Sequence, residues 1–402
     1  MLEEDRKEEL LRRLPMRGSN PAAVRSYNER LVLQLVREHE TLTKAEATRA
    51  TGLSPNAISV IFRGLEKDGL LLRGEPIRGR IGQPSTPLRI NPDAHFYTAL
   101  KIGRRSLELA LVDFSGAIRA SVSRLQPYPT PDATVSFVRD QIGKVLKDAG
   151  QTPETVSAMA VVMPYELWSW TEDFGAPLDE MAAWRDFDVK TAFQSVAPWP
   201  VTLENDATAA CRAEVSFGAH PEKQDWIYFY VGTFIGGGIV LNGSVFRGRR
   251  GTAGGFGSMR VPEQAGGNRL LDHASLIVLE RAIAAAGGSP FDLYEEDTDW
   301  AQWQDLLDAW IDRSARNLAH AIVSALSVMD FEAVVVDGAM PPSVTQQLVN
   351  AVRQRLREVD LQGVVLPPVE AGQVGRQART IGAAATILCE DYMIDQNTML
   401  RR

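Results

Sequence analysis

Hydrophobic positions near the N-terminus repeat at the spacing of two short amphipathic helices. Thr43 and Glu46, three residues apart, match a capping box, which predicts that a helix begins at Thr43. Gly52 can end this helix because glycine tolerates positive φ, and Ser54 can cap a second helix that starts at Pro55. The hydrophobic residues that share one face of the second helix are Ile58, Ile61, Phe62 and Leu65.

The opposite face of the second helix is mostly small, polar or basic. Its residues are Asn56, Ser59, Val60, Arg63 and Lys67. A short helix of this kind, set against a partner helix by a turn that contains glycine, fits the major groove of DNA. Taken alone, the same stretch also agrees with an ordinary helical hairpin whose outer face is solvated.

Segments on both sides favour the DNA-binding interpretation. Residues 27–39 have the pattern of a preceding amphipathic helix. Its packing residues are Leu31, Leu33, Leu35 and Val36. Residues 70–73 and 88–90 are predicted strands, separated by a segment rich in Gly, Pro and Arg. This order predicts a winged helix-turn-helix, in which Arg78 and Arg80 of the wing reach phosphates or a narrow minor groove.

From Asn91 onward the pattern changes to that of an α/β body. The predicted strands are residues 96–114, 156–163, 201–203, 226–231, 238–241 and 334–336. The predicted helices are residues 133–149, 207–215, 273–286, 301–329, 343–359 and 380–393. Strand meanders followed by helices occur twice, which predicts two lobes with a cleft between them.

The distribution of charge changes the picture that net charge alone would give. The chain has 402 residues, 45% of them hydrophobic, and a net charge of −8, which argues against a nucleic-acid partner. Residues 11–90, however, carry a net charge of +7, whereas residues 91–402 carry −12. A basic module on an acidic body is what local attraction to DNA phosphates requires.

Composition also bears on location. The first ten residues are charged and contain no apolar run, so we expect no signal peptide. No run approaches the roughly 18 apolar residues of a membrane span. The two cysteines, Cys211 and Cys389, lie far apart in sequence and are expected to be reduced and buried, as in a cytoplasmic protein.

Three segments of the body are candidates for chemistry. Residues 204–206 (Glu-Asn-Asp) end a strand directly before a helix, where Asp206 could accept a hydroxyl proton and Asn205 could orient a polyol. Helix N-capping is the equally plausible alternative for these residues. The glycine-rich segments 232–238 and 248–259 could cradle an anion, although glycine clusters are also common in plain turns and loops.

Taken in order, these segments resemble the ROK family (repressors, open reading frames and sugar kinases) over nearly the whole chain. The matching segments are SNPAAVRSYNERLVLQLV, TGLSPNAISVIFRGLEKDGL, VTLENDATAACRAE, YFYVGTFIGGGIVLNGSVFRG, GTAGGFGSM, VVVDGAM and TIGAAATIL. The resemblance implies a ribonuclease H/actin-like body that binds a sugar or related small molecule between its lobes. It also implies a homodimer, or a dimer of dimers, that reads a two-fold symmetric operator in double-stranded DNA.

The resemblance also suggests domain limits. We predict a winged helix-turn-helix DNA-binding domain over residues 1–90 and a ROK domain over residues 91–402. Lobe 1 of the ROK domain is predicted to comprise residues 91–206 and 376–402, and lobe 2 residues 207–375.

Departures from the family pattern argue against kinase activity. The family's first phosphate loop, Asp-x-Gly-Gly-Thr, corresponds to residues 101–105, where Lys101 replaces the acid and two arginines follow. In the second phosphate loop Phe234 replaces a glycine, and Asp337 places a carboxylate near where an anionic nucleotide would lie. Asp206, in the position of the family's catalytic base, is retained, but a base without a phosphate donor transfers nothing.

The family's zinc site and sugar pocket are also altered. Ser258 stands where the family has a zinc-binding His, and the segment QAGGNRLLDHAS contains no cysteine, so His273 alone remains and no structural zinc or other cofactor is expected. Asn205 and Asp206 match the family's sugar contacts, whereas Gly255 replaces a sugar-binding Glu. The predicted effector-binding residues are Asn205, Asp206, Gly255, Ser258 and Asp272, the last lying near the position of a family Glu that contacts sugar. Five aromatic residues could stack on a ligand or, as we favour, pack as a lid: Tyr165, Trp168, Trp170, Phe174 and Trp184.

The sequence therefore predicts a transcriptional regulator of the ROK type, expected to be a repressor, in which effector binding changes the lobe angle and the spacing of two recognition helices. The predicted DNA-binding residues are Thr43, Ser54, Asn56, Ser59, Arg63, Lys67, Arg78 and Arg80. Gln83 stands where a Gly-Arg-Pro wing is usual, which predicts a weaker contribution from the wing. Two alternatives remain open: an ATP-dependent sugar kinase with a DNA-binding extension, and an effector-independent regulator controlled by a protein partner.

Overall fold

The computed structural model describes residues 21–76, 86–169, 171–218, 223–295 and 297–394. The predicted wing residues Arg78, Arg80 and Gln83, and Trp170 of the aromatic segment, lie outside the described residues. The chain divides into two compact units. The first contains the residues up to Asn91 together with Tyr392–Ile394, and the second contains Pro92–Asp391.

The first unit consists of three helices and a small antiparallel sheet. Its elements are α1 (Pro21–Glu38), β1 (Thr41–Leu42), α2 (Lys44–Thr51), α3 (Pro55–Lys67), β2 (Leu71–Arg73) and β3 (Leu88–Ile90). Strand β3 lies between β1 and β2, antiparallel to both. The guanidinium of Arg30 in α1 donates a hydrogen bond of 3.2 Å to the carbonyl oxygen of Met393, which belongs to the same unit.

Local capping explains where the two short helices begin and end. The hydroxyl of Thr43 accepts a hydrogen bond from the Glu46 amide, and the Glu46 carboxylate accepts one from the Thr43 amide, at 3.3 and 2.8 Å. Gly52 ends α2 with φ of 69°, and the Ser54 hydroxyl accepts from the Ala57 amide at 3.2 Å. The predicted capping box, glycine terminus and second cap are therefore confirmed.

Hydrophobic residues from every element of the first unit form its core. All four predicted core residues of α3 are buried: Ile58, Ile61, Phe62 and Leu65. The preceding helix already includes Pro21, the first residue described, and so extends further toward the N-terminus than the predicted start near Tyr27; it buries Val32, Leu33 and Val36. Leu31 and Leu35, which were predicted to pack, are only half-buried because they lie at the edges of the buried face. The buried face of this helix therefore differs from the predicted one by a rotation of about one residue about the helix axis.

The second unit contains two five-stranded sheets with the same arrangement. The first sheet has the order β6-β5-β4-β7-β8. Its strands are β4 (Phe96–Ile102), β5 (Ser106–Asp113), β6 (Ile118–Leu125), β7 (Val156–Met163) and β8 (Val201–Asn205). Strands β6, β5 and β4 form an antiparallel meander, and β7 and β8 extend it in parallel. The helices that accompany this sheet are α4 (Pro131–Asp148), α5 (Thr171–Phe174), α6 (Leu178–Ala182) and α7 (Val189–Gln194).

The second sheet repeats this pattern with the order β11-β10-β9-β14-β15. Its strands are β9 (Trp226–Val231), β10 (Ile235–Leu241), β11 (Ser244–Val245), β14 (Ala333–Gly338) and β15 (Val369–Ala371), and a separate hairpin consists of β12 (Arg260–Gln264) and β13 (Gly267–Arg269). The remaining helices are α8 (Asp206–Phe217), α9 (Leu271–Ala274), α10 (Leu276–Ala285), α11 (Gln304–Leu326), α12 (Pro342–Leu356) and α13 (Ala378–Tyr392). The predicted α/β class and the twofold occurrence of the pattern are thus confirmed.

Several element limits differ from the sequence prediction. The segment 96–114, predicted as one strand, contains the two antiparallel strands β4 and β5, because residues 103–105 form the turn between them. The predicted helix over residues 273–286 is interrupted at Ser275, which is extended with φ of −90° and ψ of 151°. Strand β10 starts at Ile235 rather than at Gly238 and so includes the glycine cluster. Glycine is required at position 238, because a Cβ atom there would collide with Cys211 of α8. The predicted helix over residues 301–329 ends at Leu326, and a 3-10 turn precedes it. None of the helices in the described part of the chain is long and apolar enough to cross a membrane.

Candidate functional site

A cavity of about 420 Å³ in the second unit collects most of the predicted effector-binding residues. Asn205 and Asp206 line it from the end of β8 and the start of α8. Gly255 and Ser258 line it from the glycine-rich loop that follows β11. Its volume falls in the range that is usual for small-molecule sites.

Asn205 caps a helix and lines the cavity at the same time. Its side-chain oxygen accepts hydrogen bonds from the amides of Ala207 and Thr208, both at 3.1 Å. The capping alternative is therefore correct for this residue, and it does not remove Asn205 from the cavity wall. Since the oxygen is engaged, the side-chain amide nitrogen is the group that remains for a ligand.

Asp206 forms an ion pair inside the cavity. One carboxylate oxygen accepts a hydrogen bond from Nη1 of Arg379 at 3.3 Å, and the two side chains are 14% and 10% exposed. The Arg379 guanidinium also lies 5.1 Å from the centre of the Tyr230 ring. The Arg379 guanidinium occupies one oxygen of this carboxylate and therefore competes with any ligand hydroxyl that would bind there.

Lys101, at the position of the family's missing phosphate-loop acid, lies in the interior. Its ammonium donates a hydrogen bond to the Ser106 hydroxyl at 3.0 Å and lies 3.4 Å from the Glu108 carboxylate. Burial lowers the pKa of Lys101 to about 8, although the charge of Glu108 acts in the opposite direction. A buried cation here cannot organise a magnesium ion as a carboxylate would.

The two arginines after Lys101 are both engaged in packing. The Arg104 guanidinium lies 4.2 Å from the centre of the Phe234 ring, at the wall of the cavity. Arg105 makes a buried two-point ion pair with Glu280 at 3.0 and 2.5 Å. Arg105 also donates to the carbonyl oxygen of Pro127 at 2.6 Å. The turn that contains Arg104 and Arg105 is therefore fixed by contacts with other parts of the body, and Arg104 packs on the Phe234 ring.

Asp337 is buried rather than exposed to the cavity. Its carboxylate accepts hydrogen bonds from the Tyr228 hydroxyl at 2.9 Å and from the Gly375 amide at 3.0 Å. Burial, with a further contribution from the charge of Glu214, raises the pKa of Asp337 to about 6. The residue thus holds the segment around Gly375 against β14.

Glu204, the first residue of the candidate segment 204–206, also lies outside the cavity. Its buried carboxylate pairs with Arg247 at 3.0 Å and with Arg212 at 3.6 Å. Arg247 begins the glycine-rich loop whose later residues line the cavity. Glu204 is therefore placed to hold this loop rather than to contact a ligand.

Asp272 is not brought together with the other predicted effector residues. It lines a second cavity of about 360 Å³, next to Gly267 and Arg269. Its carboxylate accepts hydrogen bonds from the Arg269 amide at 2.9 Å and from the Arg269 guanidinium at 2.6 Å. Both hydrogen bonds join Asp272 to Arg269, three residues before it, and they stabilise the end of the β12–β13 hairpin.

The aromatic segment mostly packs against the protein. Trp184 is buried and donates a hydrogen bond from its indole to the Pro129 carbonyl at 2.9 Å. Phe174 is buried and packs edge-on against Phe234. Tyr165 lines the cavity and is 58% exposed, so it is the aromatic residue of this segment that is available to a ligand among those described.

The residues around His273 do not fit a zinc ion. No group of three or more His, Cys, Asp or Glu in the described residues is placed to hold a metal. Both cysteines are buried in the protein interior, at Cys211 and Cys389. Both ring nitrogens of His273 are already engaged with protein groups, Gly267 and Arg313.

In the first unit, α3 presents a polar and basic face. Asn56, Arg63 and Lys67 are exposed, and Ser59 is half-buried. Val60, on the same face, is 48% exposed. Ser54 is an exposed cap at the helix start, whereas the Thr43 hydroxyl is buried and donates to Glu46 at 2.6 Å.

Arg379 lines the cavity but was not predicted from the sequence, whereas Thr233 and Thr252 lie in the two glycine-rich segments that were. Arg379 is a basic residue at the start of the apolar stretch TIGAAATIL, which is a weak local signal. Its partner Asp206 lies 173 residues away, so the pairing is visible only in the fold.

Comparison with known proteins places this architecture among proteins of one family. The ROK family model matches residues 97–390. The xylose repressor of Bacillus subtilis (strain 168) is 25% identical over 250 residues, which cover 61% of this chain and 64% of the repressor. The chain thus matches less than two thirds of the length of that relative.

Two solved structures share the fold. The crystal structure of a ROK family transcriptional regulator, a homologue of the E. coli MLC protein, has a TM-score of 0.65 at 20% identity and covers 92% of this chain and 97% of that one. A ROK family glucokinase from Streptomyces griseus, in complex with glucose and AMPPNP, has a TM-score of 0.55 at 22% identity and covers 72% of this chain and 98% of that one. Because the family model spans well over half of the chain, this protein belongs to the ROK family.

Proposed function

We propose that this chain is a DNA-binding transcriptional repressor whose kinase-like body binds a sugar or a related small molecule. The observation that carries the proposal is the exposed polar and basic face of α3, formed by Asn56, Arg63 and Lys67 on a helix whose other face is buried. The similarity to the xylose repressor and to the transcriptional regulator structure supports the proposal that this chain is a repressor.

The proposed DNA contacts follow from the geometry of α3. The helix is capped by Ser54 and has its hydrophobic residues against the core, so its outer face is free to meet a major groove. Asn56 and Arg63 suit hydrogen bonds to base edges, and Lys67 suits a phosphate. Thr43 contributes by holding the start of α2, since its hydroxyl is used in the capping box. Arg78 and Arg80 remain proposed wing contacts.

The proposed effector site is the 420 Å³ cavity. Asp206 and Asn205 provide a hydroxyl acceptor and an amide, and Tyr165 provides an exposed aromatic face. Such a combination suits a polyol ring, which offers hydroxyl groups at its edge and C–H groups on its face. Gly255 and Ser258 leave space where a sugar kinase of this family would place larger polar side chains.

Loss of phosphoryl transfer is part of the proposal. Asp206 is paired with Arg379, Lys101 replaces a metal-organising acid, and Arg104 packs on Phe234 beside the cavity. Phosphoryl transfer depends on positioning of the phosphates and their metal ions, which none of these groups favours. The body is therefore proposed to sense a ligand without turning it over.

The quaternary state completes the proposed mechanism. A homodimer, or a dimer of dimers, would present two α3 helices to a two-fold symmetric operator. An effector that changes the lobe angle would change the separation of these helices, so that both could no longer dock at once. The operator affinity would then fall although each helix is unchanged.

The test is a mobility-shift titration with genomic fragments of the source organism, using wild type, Arg63→Ala and the control Arg316→Ala. Arg316 is an exposed arginine of α11 that pairs with Asp312. We expect Arg63→Ala to weaken binding to the best fragment by about tenfold to a hundredfold and the control to have no effect. Absence of any salt-sensitive retention by the wild-type chain would refute DNA binding.

The retained Asp206 at the cavity wall makes a sugar kinase the second candidate. A coupled assay with ATP, magnesium and a panel of sugars distinguishes it, because a kinase requires turnover that Asp206→Ala abolishes. Effector-independent control by a protein partner is the third candidate. A thermal-shift screen addresses it, since a specific small ligand raises the melting temperature by mass action.

A further inference from the structure

The β12–β13 hairpin and the short helix α9 form a wall beside the ligand cavity. Leu271 of this wall lines the cavity directly, as does Ser258, two residues before β12. The Leu270 amide donates to the Met259 carbonyl at 2.9 Å and so joins the two ends of the hairpin segment. In the family pattern described above this wall is organised by zinc, but residues 260–275 of this chain contain no cysteine.

The guanidinium of Arg313, from α11, lies at the centre of this wall. Its Nε and Nη2 atoms lie 2.9 and 2.8 Å from Nδ1 of His273. Nη2 also donates to the carbonyl oxygen of Ala265 at 3.0 Å and approaches that of Asp272 at 3.4 Å. One cation thus joins the tip of the hairpin to the helix that follows it.

The contacts of His273 determine its tautomer. An arginine can only donate hydrogen bonds, so Nδ1 must be the acceptor and the ring must be neutral. Nε2 then carries the hydrogen and donates to the carbonyl oxygen of Gly267 at 3.1 Å. Both ring nitrogens of this fully buried histidine are used, and no lone pair is left for a metal.

The surroundings are built to fit this cation. Gly266 has φ of 105°, and a Cβ atom there would collide with Nη2 of Arg313. Asn317, one turn further along α11, donates to the Arg313 carbonyl at 2.8 Å and accepts from Gln264 of β12 at 2.7 Å. Ser314, which directly follows Arg313, donates a hydrogen bond to the His273 carbonyl at 3.2 Å. The hairpin is therefore anchored to α11 at several points around one guanidinium.

We infer that Arg313 takes the structural role that a bound metal has in zinc-containing members of the family. Its positive charge brings together one imidazole, a carbonyl oxygen of the hairpin and a carbonyl oxygen of α9. The cavity wall is consequently independent of metal supply and contains no thiol to oxidise. If the chain senses an effector in the cavity as proposed above, we expect this sensing to be insensitive to metal chelators.

The test compares wild type, Arg313→Ala, Arg313→Lys and the control Arg316→Ala, in the full chain. Arg316 lies on the same helix three residues on and is 52% exposed. Hydrogen exchange over residues 256–274 is measured with and without a zinc chelator, and zinc content is measured by mass spectrometry. We expect wild-type protection to be unaffected by the chelator, with no stoichiometric zinc.

In Arg313→Ala we expect exchange over residues 256–274 to accelerate by about tenfold or more, while the control matches wild type. Added guanidinium ion at millimolar concentration should restore protection in Arg313→Ala, and urea at the same concentration should not. Arg313→Lys tests the same point if the alanine variant does not fold, because an ammonium lacks the planar fork and should give intermediate protection.

Three results would overturn the inference. Stoichiometric zinc in the wild-type chain, or loss of protection on chelation, would show that a metal organises the wall. Equal protection in Arg313→Ala and Arg316→Ala would show that the guanidinium is dispensable. Wild-type protection in Arg313→Lys would show that the two-point geometry has no role.

Discussion

Asp337 illustrates how a single buried carboxylate is used in this fold. It is 1% exposed and receives hydrogen bonds from Tyr228 and Gly375, yet its ionised form is disfavoured by burial and by the charge of Glu214. The pKa of this group is raised from its ordinary value of 3.8 to about 6. The folded state therefore binds a proton at Asp337 more tightly than the unfolded state does.

This difference predicts a pH dependence of stability with a definite sign. As pH falls from about 7 to about 5, Asp337 becomes protonated in the folded chain but stays ionised in the unfolded chain, which adds about 1 kcal/mol to the free energy of unfolding. Urea denaturation of wild type and Asp337→Asn at both pH values isolates the effect, because other titrating groups cancel in the difference. A wild-type chain that loses stability relative to Asp337→Asn on acidification would contradict the assignment.

The Arg379–Asp206 pair gives a second prediction at this scale. Replacing Arg379 by Met keeps the volume but leaves the Asp206 carboxylate in a largely buried site without its cation, so we expect a loss of about 1–3 kcal/mol in the free energy of unfolding. The double variant Arg379→Met with Asp206→Asn should recover part of the loss. Chemical denaturation measures both, with Arg316→Met as the control. Additive losses in the double variant would show that the two residues do not interact.

Residues whose role depends on chain neighbours are those that the sequence could locate. Asn205 and Asp206 lie at a strand end directly before a helix, a position that local pattern identifies, and both line the cavity. The place of Arg379 in the cavity could not be predicted from the sequence, because its ion-pair partner, Asp206, lies 173 residues away in the chain. Asp272 lines a different cavity from the other predicted effector residues, and its carboxylate is hydrogen-bonded to Arg269, three residues before it.

Among the elements, α2 depends most clearly on its cap. The helix has only eight residues and buries Ala47 alone, so its own packing contributes little and the Thr43–Glu46 capping box fixes its start. Cap residues, a glycine with positive φ and a proline at the helix start are local signals, which is why the limits of α2 and α3 were predictable.

The cap yields a prediction for the element. Thr43→Ala removes both hydroxyl contacts with Glu46, and we expect it to lower the stability of the first unit by about 1 kcal/mol. Thermal unfolding and DNA titration should both report the change, since a frayed α2 no longer supports α3. Thr152→Ala in the second unit, where the residue makes no side-chain cap, is the control. Equal effects of the two substitutions would show that the capping box is not needed.

The break between α9 and α10 could not be predicted from periodicity. The hydrophobic spacing continues through Ser275, but its hydroxyl accepts from the Ile235 amide and donates to the Leu271 carbonyl, and its own carbonyl accepts from Trp310. These contacts come from distant segments and hold Ser275 in an extended conformation. Tertiary hydrogen bonds thus override the local helical preference.

For the whole molecule, charge is divided sharply along the chain. Residues 11–90 carry +7 and residues 91–402 carry −12, so the proposed attraction to DNA phosphates would come from the first unit, and the acidic remainder would oppose it. This separation was accessible from sequence because counting charges needs no structure. The cavity volume and its lining required the fold, since they combine segments from residues 104 to 379.

The division of charge predicts a steep salt dependence. If two first units of a dimer neutralise about six to ten phosphates in total, raising the salt concentration from about 50 mM to about 200 mM should weaken DNA binding by about a thousandfold or more. The slope of affinity against salt, measured by fluorescence anisotropy, should become shallower by about one or two contacts in Lys67→Ala, whereas Lys144→Ala in the acidic body should leave it unchanged. An unaltered slope in Lys67→Ala would exclude this lysine as a phosphate contact.

The buried pair of Arg105 and Glu280 joins the hairpin between β4 and β5 to α10, which follows the second sheet's glycine-rich loop. Moving the first sheet directly away from α10 would break this ion pair and leave two buried charges without partners, so such a separation is energetically costly. We expect a small rotation that keeps both hydrogen bonds to cost less than separation does. If a molecule bound in the cavity changes the angle between the two sheets, we expect this ion pair to lie at the axis of the rotation, so that the displacement of an atom grows with its distance from the pair.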